Sequence, residues 1–162
     1  MENVTYFRKR KYGKIKKDLK IKAIKAIFNK ESSSEIFEEN YDYVVDAIDM
    51  VSSKIHLIEV CLNKNIPIIS SMGMGNKLDP TKIEIADISQ THTCPLAKVM
   101  RKELRDRGIE HLDVVFSSEP PLEVKKKISN GHRILPGNIS FMSSSGGLII
   151  ASKVIKDLIN IN

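Results

Sequence analysis

A glycine-rich phosphate turn is missing from this 162-residue sequence. Such a turn works because glycines let backbone N–H groups approach phosphate at a helix N-terminus. No G-x-G-x-x-G segment occurs, and the one close glycine cluster, Gly73-Met74-Gly75, follows an apolar segment without opening a helix. Cysteine is scarce as well. Cys61 and Cys94 give neither a metal-type spacing nor a disulfide framework. His56, His92, His111 and His132 lack the regular spacing of a zinc site. No apolar run approaches the roughly 18–20 residues of a membrane span. The basic start has no apolar core of a signal peptide, so a cytoplasmic protein without membrane contact is expected.

The most informative segment that is present runs from Tyr43 to Ser70. Tyr43 to Ile48 is a short apolar run of the kind that forms a parallel strand covered on both faces. Asp46 and Asp49 fall at or just beyond its carboxyl end, where open α/β sheets place their ligands. Ser52, Ser53 and Lys54 open a predicted helix that continues to Lys64, and Ile66 to Ser70 reads as the next parallel strand. Cys61 lies in the middle of that helix's apolar face and reads as a small core residue.

Charge is concentrated rather than spread. The net charge is +6 with a pI near 9.3, and eleven basic residues against one acid, Asp18, lie between Arg8 and Lys30. This segment reads either as a nucleic-acid or anionic-surface patch or as a solvated tail. On a helix predicted from Pro95 to Gly108, Lys98, Arg101, Lys102 and Arg105 share one face at 3–4 residue spacing. Leu96, Val99, Met100 and Leu104 are placed on the opposite face. A cation stripe of this kind can neutralise phosphates, although an ordinary solvated face has the same pattern. No aromatic stacking platform accompanies it, so contact with a nucleic-acid backbone is expected over base readout. Cys94 precedes the helix N-terminus near His92, a setting that favours thiolate, so it reads either as a nucleophile or as an incidental thiol.

The remaining segments complete an α/β pattern. Leu19 to Phe28 alternates imperfectly as a strand, followed by a helix ending at Asn40. Thr81 to Ser89 and Leu112 to Ser117 read as further strands. Glu119 to Gly137, with Pro120, Pro121, Lys125-Lys126-Lys127 and Pro136, reads as a long loop. Asn138 to Ser143 is predicted as a last strand and Gly147 to Ile159 as a last helix. A basic segment over residues 1–18 and a single α/β portion over 19–162 are therefore expected.

Four ordered stretches, VVDAIDMVSSK, IPIISSMGMGNKLDP, ADISQTHTCPLAKVMRKELR and GLIIASKVIKDL, resemble the tRNA threonylcarbamoyladenosine dehydratases. These belong to the MoeB/ThiF/HesA superfamily, relatives of the ubiquitin-activating enzymes. The resemblance runs from about Leu19 to the C-terminus. It implies a partial Rossmann-like, ThiF-type sheet, mostly parallel and flanked by helices, lacking the N-terminal glycine-rich unit with which the family opens.

The resemblance further implies ATP and Mg²⁺ as cofactors, tRNA as partner and substrate, a homodimer, and a possible sulfur-transfer or modification partner protein. By the family pattern Asp49 stands beside Mg-ATP, as nucleotide and metal-side carboxylate, and Lys54 is a basic position just after it. The ubiquitin-activating relatives use a cysteine in a region broadly comparable to Cys94. The implied chemistry is adenylation of the threonylcarbamoyl carboxylate on a tRNA adenosine, then intramolecular ring closure with loss of AMP. Two readings follow. One is a dehydratase, or a truncated member of that family, inactive alone because its nucleotide loop is absent. The other is a noncatalytic remnant that binds RNA or a partner through its basic face.

Overall fold

The computed structural model describes residues 20, 22–123, 128–130 and 133–161. The described chain divides into two compact units, one ending at Glu39 and one beginning at Asn40. The first holds helix α1 (Lys30–Ile36). Asn29 caps it, its side-chain oxygen accepting from the N–H groups of Glu31 and Ser32 at 3.0 and 2.9 Å, while Ser32 Oγ accepts from Asn29 N. Phe28 and Phe37 meet edge to face with ring centroids 6.0 Å apart. Of the strand expected over Leu19 to Phe28, the described residues 22–28 are not part of any strand, while Leu19 and Ile21 lie outside the described residues; the helix ends before Asn40. The alternation of lysine with Ile and Ala was too imperfect to specify a register. Most of the basic run between Arg8 and Lys30, and the boundary expected at residue 18, lie outside the described residues.

The second unit is a four-stranded sheet between helices. Its elements are β1 (Val44–Asp46), α2 (Val51–Asn63), β2 (Ile68–Ser71), β3 (Ile83–Asp87), α3 (Pro95–Arg105), β4 (Asp113–Ser117) and α4 (Ser140–Leu158), with a small hairpin of β5 (Ile128–Asn130) and β6 (Arg133–Leu135). Strand order is β1-β2-β4-β3. The first three are parallel, with Asp46 opposite Ser70 and Ser71 opposite Val115, and β3 runs antiparallel to β4. The fold is α/β with a mostly parallel sheet, as the sequence implied.

Alternation along the strands divides the core. Ile69 and Val115 pack with Ile83, Met142 and Ile150 beneath α4, joined by Tyr43, Met74, Ile149 and Val154. The alternate positions, Asp46, Ser70, Val114 and Phe116, point to the side that holds α2 and α3, whose Ile58, Cys61, Ala97, Met100 and Leu104 are fully buried. Cys61 is thus the core residue expected, and burial pushes its thiol up to about 11, with a smaller contribution from Asp46. Val99, placed on the apolar face of α3 by periodicity, is instead 46% exposed, and Ala97 takes the interior position.

Two expectations near the C-terminus are corrected. Asn138 to Ser143 is not a strand, because α4 already begins at Ser140 and includes Gly146 and Gly147 in its interior. Two glycines in a helix interior cost about 1 kcal/mol each relative to alanine, and Gly146 lies close against Met74. A Cβ there would stand 3.2 Å from the Met74 methyl. The loop of 119–137 likewise contains the antiparallel pair β5 and β6.

Candidate functional site

The three parallel strands end on one edge of the sheet, at Asp46, Ser71 and Ser117. Asp46 has no solvent exposure there. Its Oδ2 accepts from Ser70 Oγ at 2.6 Å and lies 2.8 Å from the Lys54 ammonium; its Oδ1 accepts from the Ile48 N–H at 3.0 Å. The last bond turns the chain out of β1 and delivers Asp49 to the exposed mouth of the edge, one residue before the α2 cap at Met50. Lys54, in the first turns of α2, is also completely buried, and its ammonium donates to the Ser71 carbonyl at 2.8 Å.

A second buried lysine repeats this device on the neighbouring strand. Lys77 donates to the carbonyl of Ser117, the last residue of β4. The Glu119 carboxylate accepts from the N–H groups of Leu78 and Asp79 at 3.0 and 2.9 Å, which fixes the loop that carries Lys77. Burial lowers the Lys77 pKa below its usual value, opposed by the neighbouring Cys94 and Glu119. Each lysine therefore satisfies a strand-terminal carbonyl that would otherwise be buried without a donor. Sequence reasoning did not single out Lys77 or Glu119. Both lie in loops, Lys77 after Gly75 and Glu119 before two prolines, and no periodicity marks a loop residue as buried.

Cys94 caps α3 at the same edge and is 3% exposed, its sulfur 3.8 Å from the Gly73 carbonyl oxygen. The His92 ring meets Phe116 edge to face with centroids 5.4 Å apart. The candidate residues thus fall in two groups. Asp49, Lys54 and Cys94 belong to the carboxyl edge. Lys98, Arg101, Lys102 and Arg105 lie along α3, where with Asp106 they line a shallow concavity of about 240 Å³. Lys98, Lys102 and Arg105 are exposed, while Arg101 leans back, its guanidinium donating to the carbonyl of Thr91 at 2.7 Å and to the Thr91 hydroxyl.

The donors at the edge fit a magnesium nucleotide only in part. Asp49 offers an exposed carboxylate, but the ammonium groups of Lys54 and Lys77 already serve Asp46, Ser71 and Ser117. Among the described residues no three His, Cys, Asp or Glu side chains gather as a metal shell.

The comparisons with known proteins agree with the sheet. Residues 5–162 match the ThiF family model. The chain belongs to the ThiF family. It is 40% identical over 162 aligned positions to a tRNA threonylcarbamoyladenosine dehydratase of Bacillus subtilis, covering 93% of this chain and 64% of that protein. A second relative, the tRNA threonylcarbamoyladenosine dehydratase 2 of Saccharomyces cerevisiae, is 44% identical over 88 residues, 54% of this chain and 20% of the yeast protein. Among solved structures, the Escherichia coli dehydratase TcdA in complex with AMP superposes with a TM-score of 0.81 at 24% identity, covering 93% of this chain and 62% of that one. The same enzyme in complex with ATP gives 0.79 at 24% identity, covering 93% and 61%. At that identity the structures establish the fold. The ThiF family chain spans less than two thirds of the length of these relatives, and among its described residues no helix is long and apolar enough to cross a membrane.

Proposed function

We propose that this chain is the sheet-edge and RNA-facing portion of a tRNA threonylcarbamoyladenosine dehydratase. The observation that carries the reading is the 40% identity to the Bacillus enzyme across 93% of the chain. That identity is laid on a sheet whose carboxyl edge presents Asp49 to solvent. The reaction class is ATP-dependent dehydration of a tRNA-linked threonylcarbamoyl group to a ring. ATP would supply activation of the carboxylate, with Asp49 standing on the metal side of the nucleotide.

The residues of this chain perform the supporting tasks. Asp46 and Lys54 lock the turn that carries Asp49, while Lys77 and Glu119 fix the facing loop. Among the described residues, the two buried lysines of the edge, Lys54 and Lys77, are not free donors for the phosphates. Preorganised donors are worth about 10²–10³ in rate each, so the chain by itself is a binding module with negligible turnover. Cys94 is a packed cap in this reading, since ring closure by an intramolecular nucleophile needs no acyl-thioester. The exposed Leu148, Ile155 and Leu158 of α4 offer apolar surface for the homodimer.

The test is to incubate the chain with threonylcarbamoylated tRNA and Mg-ATP and follow the modified nucleoside by mass spectrometry. Retention of tRNA without loss of water from the nucleoside is expected. Cyclised product at rates of a complete enzyme would contradict the reading, and absence of tRNA binding would remove its RNA half.

A further inference from the structure

The cations of α3 are arranged at a cost that the helix itself does not repay. The pairs Lys98–Arg101, Lys98–Lys102, Arg101–Arg105 and Lys102–Arg105 stand at i+3 or i+4, so each cation repels two others. Lys102 and Arg105 stand in the last turn, where the helix dipole favours positive charge. Lys98 stands near the N-terminal end, where it does not. The acid that could compensate is engaged elsewhere: Glu103 pairs with Arg107 at 2.9 Å, and Arg107 also reaches Glu59 at 3.4 Å. Among the described residues, Lys98, Lys102 and Arg105 form no ion pair, and Asp106 is the one acid at the rim of the concavity between them.

Arg101 differs from its three companions. Its guanidinium is drawn toward the Ile88–Thr91 turn, donating to Thr91 through its carbonyl and hydroxyl. That leaves the middle of the stripe open, with room for several water molecules or one phosphodiester group. It also ties the stripe to the turn that leads into His92 and Cys94. No aromatic ring lines the concavity, which suits a backbone phosphate and not a stacked base.

We propose that Lys98, Lys102 and Arg105 form a seat for an RNA backbone phosphate, with Arg101 as a positioning residue that holds the seat open from Thr91. The choice of RNA rests on the tRNA-modifying reading above. The seat consists of three contacts to phosphate, and Arg101 is not one of them.

Salt dependence of tRNA binding separates these roles, because each phosphate neutralised contributes about 0.7–0.9 to the slope of log affinity against log salt. Because the three side chains share one phosphate, the Lys98→Gln/Lys102→Gln/Arg105→Gln triple variant of the full chain is expected to lower the slope by about 0.7–0.9 in total, and each single substitution by part of that. Arg101→Gln is expected to reduce affinity at fixed salt while leaving the slope unchanged. Arg107→Gln serves as a control on the same helix end and is expected to change neither. Tight tRNA binding with an unchanged slope in the Lys98/Lys102/Arg105 triple variant would overturn the seat and leave the RNA reading standing. No tRNA binding by the parent chain would overturn both. A slope loss for Arg101→Gln equal to that of Lys98→Gln would make Arg101 a contact and refute its positioning role.

Discussion

The ammonium of Lys54 and the carboxylate of Asp46 face each other at 2.8 Å with neither side chain exposed to solvent. Their attraction alone does not explain the arrangement, since burying two charges costs several kcal/mol per ion. The surrounding bonds to Ser70, Ile48 N and Ser71 O complete the network and make it a brace between β1, β2 and α2.

Removing one partner should therefore be costly. Lys54→Met or Asp46→Ala is expected to lose about 3–5 kcal/mol, because a buried charge is left unpaired. The double variant should recover part of that loss. Urea denaturation of the two single variants and the double variant provides the cycle, and strictly additive losses would contradict coupling.

Asn76, at φ +57°, clasps both arms of the segment that carries the β5–β6 hairpin. Its N–H donates to the Gly137 carbonyl at 2.7 Å, its side-chain oxygen accepts from Gly137 N at 2.6 Å, and its carbonyl accepts from Leu122 N at 2.7 Å. The adjacent Gly75 leaves no room for a side chain, as a Cβ would lie 2.7 Å from Pro136 Cβ. Asn76→Ala should speed hydrogen exchange at the Gly137 amide, and Gly75→Ala should cost about 1–3 kcal/mol through overpacking. Unchanged exchange at Gly137 would remove the clasp.

Stability should fall on the acid side for a definite reason. Lys153 and Tyr43 hydrogen bonds hold Asp157 below its usual 3.8, and Thr81 does the same for Asp79. Burial pushes Asp87 up, but bonds from Ser89 and Leu112 and the nearby His111 outweigh it and leave it lowered. With the folded values depressed, the unfolded chain takes up protons first. Stability present above about pH 4 is then lost as pH falls through the folded values. Urea midpoints between about pH 7 and pH 3 should show this decline, and Asp157→Asn should shallow it. An identical acid limb in that variant would exclude Asp157 as a contributor.

Both thiols should react slowly. Cys61 is 0% and Cys94 3% exposed. Ellman's reagent is expected to modify neither in the native protein, and both after denaturation. Rapid native labelling at Cys94 would show that its cap opens and would return it as a candidate nucleophile.

The layered α/β fold was legible because its elements announce themselves through short apolar runs and a 3–4 residue helical stripe. β1, α2, β2, α3 and β4 all fall where those patterns placed them. The exceptions have physical causes. The last helix was expected to begin at Gly147, but α4 begins at Ser140 and carries Gly146 close to the Met74 side chain. Lys77 and Glu119 gave no signal, since their burial depends on how two distant loops meet at the ends of β2 and β4. Lys54 was marked only by resemblance, and its partner Asp46 was read as a residue at the strand end. Their contact needed the fold.

The most direct measurement is calorimetric titration of the chain with Mg-ATP, with Asp49→Ala alongside. Because the buried lysines are committed to strand carbonyls and no glycine-rich turn occurs in the sequence, no saturable heat is expected at micromolar nucleotide, in either protein. A micromolar dissociation constant that Asp49→Ala abolishes would show that the edge holds ATP by itself, and would contradict the reading of this chain as a binding module.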